Sequence, residues 1–456
     1  MSKDLQKGAM FMAGLTLLQS LRVALTGAKF ALDRFKIPQQ YASSFINMVH
    51  NPMELATFTG MAIVTSIALG TGDSSKGFFR GFAAFTNMAL FLSFILLLIA
   101  FTSGGEQGDL TFYYWTIVLV SFVYGMNVAA VMNVGSDNAA FFNMGIPLSG
   151  IQVCVYYYVF TKLAEWCNWS NVSYWVIVWQ LIIAILISAA SAIMWAIAYK
   201  DGGKGGGGTC SCTEDNDNGT YLSPIFMGMV GMGGIYAFYP AIAPYKLTDV
   251  STGYTIDLVV LFMSAVPGIA IAVVCLSTSG TDKGPDKSWE ASKGNTGWHA
   301  AWILAIPHIT AMVLCLYVLH YPGSGVARYI RSSGLKVGAI TVTLKFCEEG
   351  LKAVSYAGAG AHGGTVSSFN AFTSQGLMII LAFTGDGYLK TYSKYEHDRS
   401  KWPTKDYGFF KSLGYWIGSG MKVACKSVKS SFTKNVRCKV LGKSEALLIV
   451  YEDEEF

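Results

Sequence analysis

The chain has 456 residues, of which 52% are hydrophobic and only 13% are charged. Soluble domains carry roughly 25% charged residues, so this composition argues against a soluble enzyme and indicates a polytopic membrane protein. The net charge of +5 is unevenly spread, because thirteen of the 33 Lys and Arg residues follow Gly387. A basic tail of this kind is typical of a partner for anionic lipid headgroups rather than for nucleic acid.

A membrane-spanning helix needs about 20 mostly apolar residues. Candidate spans fall into six before and five after a Gly-rich linker: Met10–Phe30, Pro52–Gly70, Phe82–Thr102, Leu110–Gly135, Asn143–Leu163, Tyr174–Tyr199, Leu222–Tyr245, Tyr254–Thr278, His299–Tyr321, Leu335–Gly358 and Val366–Gly385. The sequence therefore predicts an all-α bundle of about eleven transmembrane helices in a 6+5 arrangement.

The same pattern divides the chain into five parts. Residues 1–9 are polar, 10–199 are predicted to form a six-helix membrane half, and 200–221 form a Gly- and acid-rich linker that cannot bury a core. Residues 222–385 are predicted to form a five-helix membrane half, and 386–456 a basic tail. The aromatic and Lys residues of this tail suit a helix that lies flat in the membrane interface.

Basic residues in short loops give a first indication of orientation. Lys3 and Lys7, together with Lys200 and Lys204, favour a cytoplasmic N-terminus, whereas the basic tail would then lie outside if all eleven spans cross. The side of the tail therefore stays open, and the plasma membrane is the favoured location.

The stretch Tyr124–Gln152 is unusually polar for a membrane segment and rich in small residues. Unpaired polar groups are costly in lipid, so such side chains usually face a bundle interior or a water-filled cavity. We therefore predict that the stretch lines a solute pathway, with Asn127, Asn133, Ser149 and Gln152 as contributors. The alternative is a tightly packed bundle in which these amides only hydrogen-bond between helices.

Arg22 lies in the middle of the first apolar run, one turn after Gln19. A guanidinium buried there must find a carboxylate or several carbonyls. We expect both residues to belong to the pathway, with Arg22 pointing into the bundle and Asp137 or Asp33 as its acidic partner. The alternative is a side chain that snorkels to the headgroups or seals a helix contact.

The tenth candidate span carries four charged residues: Lys345, Glu348, Glu349 and Lys352. Lys345 and Glu349, like Glu348 and Lys352, are four residues apart and so share a helix face. Such pairs neutralise themselves, which makes burial tolerable without any function. A gate or coupling role is the sharper alternative.

No catalytic motif stands out: the chain lacks a Walker A loop, an H-E-x-x-H sequence and a G-x-S-x-G sequence. Cys210 and Cys212 in the linker lack a nearby second pair of ligands, and His308 is isolated in an apolar span. We therefore predict a protein that is not an enzyme and has neither a metal nor a cofactor.

Three stretches of the chain resemble the equilibrative nucleoside transporter family, as a divergent, parasite-like member. They are Gly14–Leu25, the small and polar residues of Gly125–Gly150 with their GIPLSG sequence, and Ile235–Lys246, where an apolar run closes on F-Y-P. The last stretch also resembles, more weakly, the multi-pass Tpr-related family of piroplasm parasites. The resemblance implies a major-facilitator-like bundle and a nucleoside- or nucleobase-like solute, with Tyr239 stacking on a base.

The chain departs from the family pattern at several positions. Leu21 and Arg22 stand where the family has a Trp-Asn pair, and Val128 stands at its polar fourth-span position. The family's eighth span has an Asp followed four residues later by Arg, whereas Asp257 is followed by Leu261. The primary hypothesis is thus a facilitative transporter of small polar solutes. The alternative is a non-transporting membrane protein that uses a degenerate transporter scaffold for interaction or structure.

Overall fold

A computed structural model describes residues 3–25, 27–38, 41–71, 76–200, 220–290, 294–396, 398–433 and 435–441. Most of the predicted linker, including Cys210 and Cys212, lies outside these residues.

The first membrane half begins with a span that is broken into three helices, followed by five long helices. Their bounds are α1 Lys3–Leu17, α2 Gln19–Leu25, α3 Ala28–Arg34, α4 Ala42–Thr71, α5 Lys76–Thr102, α6 Leu110–Val134, α7 Ala139–Trp166 and α8 Val172–Tyr199. A short 3₁₀ turn, Ser136–Asn138, joins α6 to α7.

The second half contains five further membrane segments, and the described chain adds three peripheral helices. Its helices are α9 Leu222–Gly233, α10 Ile235–Phe238, α11 Val250–Ser277, α12 Ala305–His320, α13 Gly325–Arg331, α14 Gly334–Gly360, α15 Gly364–Ser393, α16 Phe409–Ser431 and α17 Val436–Leu441. A 3₁₀ segment, Thr296–Leu304, runs directly into α12. The last span continues past residue 385, the boundary that the sequence predicted for it.

Eight helices in the described part of the chain are long and apolar enough to cross a bilayer. The broken segment α1–α3, the segment α9–α10 and the charged helix α14 pack alongside them. Together they form an all-helical bundle of about eleven segments, six in the first half and five in the second. The predicted 6+5 membrane bundle is therefore confirmed.

The alternating direction of the helices gives the bundle two ends. We call the near end the one where α1 begins, where α6 gives way to α7, and where α14 gives way to α15. The far end is the one where α3 ends, where α4 and α11 begin, and where α15 ends. Arg34 fixes the far end of the first half, because its guanidinium donates five hydrogen bonds to carbonyls of residues 101–106.

The two halves meet backbone to backbone at the near end. A Cβ atom at Gly364 would lie 1.9 Å from the carbonyl oxygen of Asn133, and one at Gly360 would lie 2.3 Å from that of Ser136. Only glycine permits such an approach, because any larger residue places a side chain inside the neighbouring backbone. The near end is thus closed in this conformation.

Glycine also sets the packing within the first half. Gly125 of α6 lies against α4, where an added Cβ would be 2.1 Å from the carbonyl oxygen of Thr57. Gly14 of α1 approaches Phe142 of α7 equally closely, at 2.0 Å. Small residues let membrane helices gain dispersion contacts along their backbones, which replaces the hydrophobic drive that is missing in lipid.

Replacing Gly125 with Leu should therefore destabilise the protein by roughly 1–3 kcal/mol, since the overpacked α4–α6 contact cannot be relieved by movement of one half against the other. The measurement is the thermal unfolding midpoint of the purified protein in detergent. Gly70→Leu is the control, because no atom lies within 4 Å of a Cβ at Gly70. Equal midpoints for the two variants would contradict the close contact.

Candidate functional site

A cavity of about 310 Å³ lies between the two halves, from the middle of the bundle toward the far end. Four segments of each half line it: α1–α2, α4, α6 and α7 from the first half, and α9–α10, α11, α14 and α15 from the second. Its polar lining is Ser20, Arg22, His50, Asn51, Glu54, Thr57, Ser121, Tyr124, Tyr236, Tyr239, Asp257, Ser264, Lys345, Glu348, Glu349, Lys352, Gln375 and Asp386. A partly polar cavity at an interface between halves is a common form of ligand site.

The four charged residues of α14 form one network on the cavity wall. Lys345 Nζ pairs with Glu348 and lies 3.1 Å from Glu349 Oε1. Lys352 Nζ lies 2.6 Å from Glu349 Oε2 and 3.5 Å from Glu348 Oε1. Both predicted i,i+4 pairs are present, and the i,i+3 contacts join them into a network with no net charge. Neutrality within one helix explains how four ionised groups tolerate burial in a membrane.

Arg22 points into the cavity from α2. A Cβ at Gly150 of α7 would lie 2.7 Å from its Nη2 atom and 2.9 Å from Leu261 Cδ1, so the guanidinium and Leu261 are neighbours across this glycine. The Nε atom is buried without a hydrogen-bond partner, and no described carboxylate pairs with the guanidinium. The side chain therefore faces the bundle interior and has unused donors.

The expected acidic partners of Arg22 lie elsewhere, and that prediction is wrong. Asp33 accepts a hydrogen bond from Ser173 Oγ at 2.7 Å, at the far end of α3. Asp137 is exposed in the 3₁₀ turn at the near end, where Lys3 and Lys287 are close to it. The length of α1 and α2 separates that turn from Arg22.

Asp257 is a cavity residue whose importance the sequence analysis missed. The hydroxyl groups of Tyr239 and Tyr245 hydrogen-bond to its carboxylate, while its Oδ1 atom is buried without a partner among the described residues. Leu261, which like Arg22 lies beside Gly150, is one turn further along the same helix. The available signal was the carboxylate itself, since an ionisable residue in an apolar span marks a functional site by default.

Two other close pairs of polar side chains lie at the rim of the cavity. His50 Nε2 is 3.2 Å from Glu54 Oε1 on α4, and Lys390 Nζ is 2.9 Å from Asp386 Oδ2 on α15. These carboxylates have basic partners, whereas no described basic side chain pairs with Asp257, and Arg22 and Asp257 each have a buried atom without a hydrogen-bond partner.

Most of the predicted pathway amides lie outside the cavity in this conformation. Gln19 links three helices, since its Nε2 donates to Gln152 Oε1 at 2.9 Å and its Oε1 accepts from Gln180 Nε2 at 2.8 Å. Asn127 Nδ2 donates to Thr86 Oγ1 at 3.2 Å, and Ser149 Oγ donates to the carbonyl of Ile146 at 2.7 Å. The contacts of Gln19 and Asn127 match the alternative of amides that hydrogen-bond between helices.

Asn133 contributes its carbonyl group to the contact that closes the near end. Among the residues predicted for the pathway, the cavity thus brings together Arg22 and Tyr239, with the four charges of α14 in its wall. A pathway role for the remaining residues stays a prediction.

The geometry can be compared with that of known proteins. No protein-family model and no curated protein sequence matches the chain. Among solved structures, the proton:xylose symporter XylE of the major facilitator superfamily (MFS), bound to 6-bromo-6-deoxy-D-glucose, has a TM-score of 0.53 at 11% identity, covering 93% of this chain and 95% of that chain. The chain has an MFS-like fold. The expected major-facilitator-like bundle is therefore confirmed. The comparison concerns the fold and not the nucleoside transporter family.

A second similar structure is a bacterial homologue of the iron transporter ferroportin in an outward-facing state with soaked iron. Its TM-score is 0.48 at 8% identity, covering 94% of this chain and 98% of that chain.

The α14 network predicts a measurable coupling. Glu349→Gln leaves two lysines against one carboxylate and should lower stability by roughly 1–3 kcal/mol, mostly because of the stranded buried charge. Adding Lys345→Met restores neutrality around the Glu348–Lys352 pair and should recover most of the loss. A double-mutant cycle on unfolding midpoints measures this coupling.

Glu165→Gln is the control for this cycle, because the Lys162–Glu165 pair is about half exposed on both sides. An exposed pair of this kind contributes roughly 0–1 kcal/mol. Strictly additive effects of the two α14 substitutions would show that the network does not exist.

Proposed function

We propose that the chain is a facilitative membrane transporter of small polar solutes, which works by alternating access. The observation that carries the proposal is the cavity between the halves, which Arg22 and Asp257 both line and where each has a buried side-chain atom without a hydrogen-bond partner among the described residues. A buried charged group whose hydrogen bonds are only partly satisfied is costly in a membrane. A solute that hydrogen-bonds to both groups would offset this cost, which is a reason for the protein to keep them.

The arrangement of the halves supports the transport mechanism. The near end is closed by glycine-mediated contacts, and the cavity extends from the middle of the bundle toward the far end. Rocking of one half against the other about a central site would open the near end and close the far end. The contacts of Gly360 and Gly364 would separate in that step, without unfolding any helix.

We propose a nucleoside-like solute as the specific class. The guanidinium of Arg22 can donate to carbonyl or ring acceptors of a base, and Asp257 can accept from sugar hydroxyl groups. The rings of Tyr236, Tyr239 and Phe383 line the same cavity and suit stacking on a base. A volume of about 310 Å³ lies at the small end of the usual range for ligand sites, roughly 300–1,000 Å³.

Two comparisons support this class. Leu261 occupies the position at which the equilibrative nucleoside transporters have an Arg. The guanidinium of Arg22 lies beside the same glycine as Leu261, Gly150, but comes from another helix. The charge pair that the eighth span lacks in sequence would thus be supplied from two spans. XylE, which shares the fold, is by name a symporter of xylose, and a nucleoside likewise contains a pentose.

The α14 network is proposed as part of the gate. Lys345 and Lys352 each contact both glutamates, so their side chains can exchange partners while the helix stays neutral. Such an exchange would let α14 shift during rocking without ever exposing a net charge to lipid.

The test is uptake of radiolabelled purine nucleosides into proteoliposomes that contain the purified protein. We expect saturable uptake that Arg22→Ala and Asp257→Asn reduce more than tenfold, as each loses a charge-assisted hydrogen bond worth roughly 1.5–3 kcal/mol. Arg22→Lys should retain part of the activity, because a point charge remains without the planar fork.

Arg80→Ala serves as the matched control, since Arg80 is exposed on α5 and away from the cavity. Uptake of hexoses or amino acids but not of nucleosides would overturn the proposed solute class. Absence of uptake for every class, with a folded protein, would overturn transport and favour the scaffold hypothesis.

A further inference from the structure

Helix α16 lies across the far end and contacts both halves of the bundle. In the second half, Trp416 packs among His320, Tyr388 and Trp402. Toward the first half, the carbonyl group of Ser431 accepts a hydrogen bond from the hydroxyl group of Tyr114. The helix therefore runs from one half to the other along the end at which the cavity is located.

One residue of α16 joins the two halves directly. The Ser427 hydroxyl oxygen accepts a hydrogen bond from Asn51 Nδ2 of α4 at 3.3 Å and another from Lys390 Nζ of α15 at 3.2 Å. Asn51 lines the cavity, and Lys390 pairs with the cavity residue Asp386. The position of α16 is thus coupled to the rim of the cavity on both sides.

The surface of α16 divides into three arcs. Trp416, Gly420 and Ala424 are buried against the bundle. Beside them runs an exposed apolar arc with Phe410, which is 85% exposed, and Ile417 and Met421, which are 46% and 47% exposed.

Past the apolar arc comes an arc of exposed lysines: Lys411, Lys422, Lys426 and Lys429. At about 3.6 residues per turn the apolar arc falls between the buried arc and the lysines. All charged residues of α16 are lysines.

We propose that the outer face of α16 docks on an anionic lipid surface, and so keeps the helix seated across the far end. An exposed apolar arc next to a row of lysines is the pattern of a helix that lies in the bilayer interface. Apolar side chains enter the acyl boundary, and the lysines reach the headgroups. With four lysines and no carboxylate, the helix is complementary to anionic headgroups rather than to zwitterionic ones.

This docking also orients the protein. Anionic lipid is concentrated in the cytoplasmic leaflet, so the far end would face the cytoplasm and the N-terminus would not. Other basic residues agree, because Arg328, Arg331 and Lys336 also lie at the far end and the positive-inside rule weighs such residues. The orientation is opposite to the one that Lys3 and Lys7 favoured.

Cys425 offers a native probe of the docking, as its exposed thiol lies where the apolar arc meets the lysines. The full chain is placed in nanodiscs of phosphatidylcholine alone or with phosphatidylserine, and alkylation of Cys425 by a membrane-impermeant maleimide is followed by peptide mass spectrometry. We expect alkylation to be roughly fivefold slower with phosphatidylserine, and this protection to be lost in high salt.

The variant Lys422→Gln/Lys426→Gln/Lys429→Gln should abolish the dependence on phosphatidylserine. The charge-matched control, Arg328→Gln/Lys336→Gln/Lys394→Gln, removes three basic residues outside α16 and should keep it. Alkylation that is independent of lipid composition in the unmodified protein would overturn the proposal, and this includes the case in which the lysines bind an acidic protein.

A second arm tests the orientation. Ser170 is exposed at the far end, between α7 and α8. In sealed right-side-out plasma-membrane vesicles from an expression host, a thiol introduced by Ser170→Cys should react with the impermeant reagent only after permeabilisation. Reaction in intact vesicles would place α16 at the outer leaflet and overturn docking on the cytoplasmic one.

Discussion

The contact on which the structure depends is the approach of two backbones at the near end. Gly360 and Gly364 bring α14 and α15 against the carbonyl groups of Ser136 and Asn133, so the halves are pressed together there. The same contact leaves space between them further along, which is where the cavity forms. Contacts made by backbone and small side chains are shallow, so separating them costs little more than dispersion energy.

Most charged side chains in the described part of the bundle have close partners of opposite charge or several carbonyl groups around them. Arg34 is surrounded by carbonyl groups, and each charge of α14 has an opposite charge beside it. Arg22 and Asp257 depart from this pattern, since both line the cavity and each has a buried side-chain atom without a hydrogen-bond partner. An ionised group is expensive to remove from water unless it is paired. The exceptions therefore distinguish the site from the merely structural charges around it.

The sequence predicted the number and grouping of the spans because each is a long apolar run, and it predicted the α14 pairs because spacing on a helix is local. It did not predict which amides face the cavity. Gln19 and Asn127 look the same in sequence whether they line a pathway or bond to Gln152 and Thr86 on neighbouring helices. That choice depends on the rotation of each helix, and periodicity is weak where both faces of a helix are buried.

The hydrogen-bonded amides of Gln19, Gln152 and Gln180 also bear on the direction of Arg22. Only Leu18 separates α1 from the short helix α2. Gln19 is held by Gln152 on one side and Gln180 on the other, so the rotation of α2 about its axis is locked. Arg22 follows three residues later on the same short helix. The hydrogen bonds among these three amides thus set the direction of the Arg22 guanidinium, although Arg22 takes no part in them.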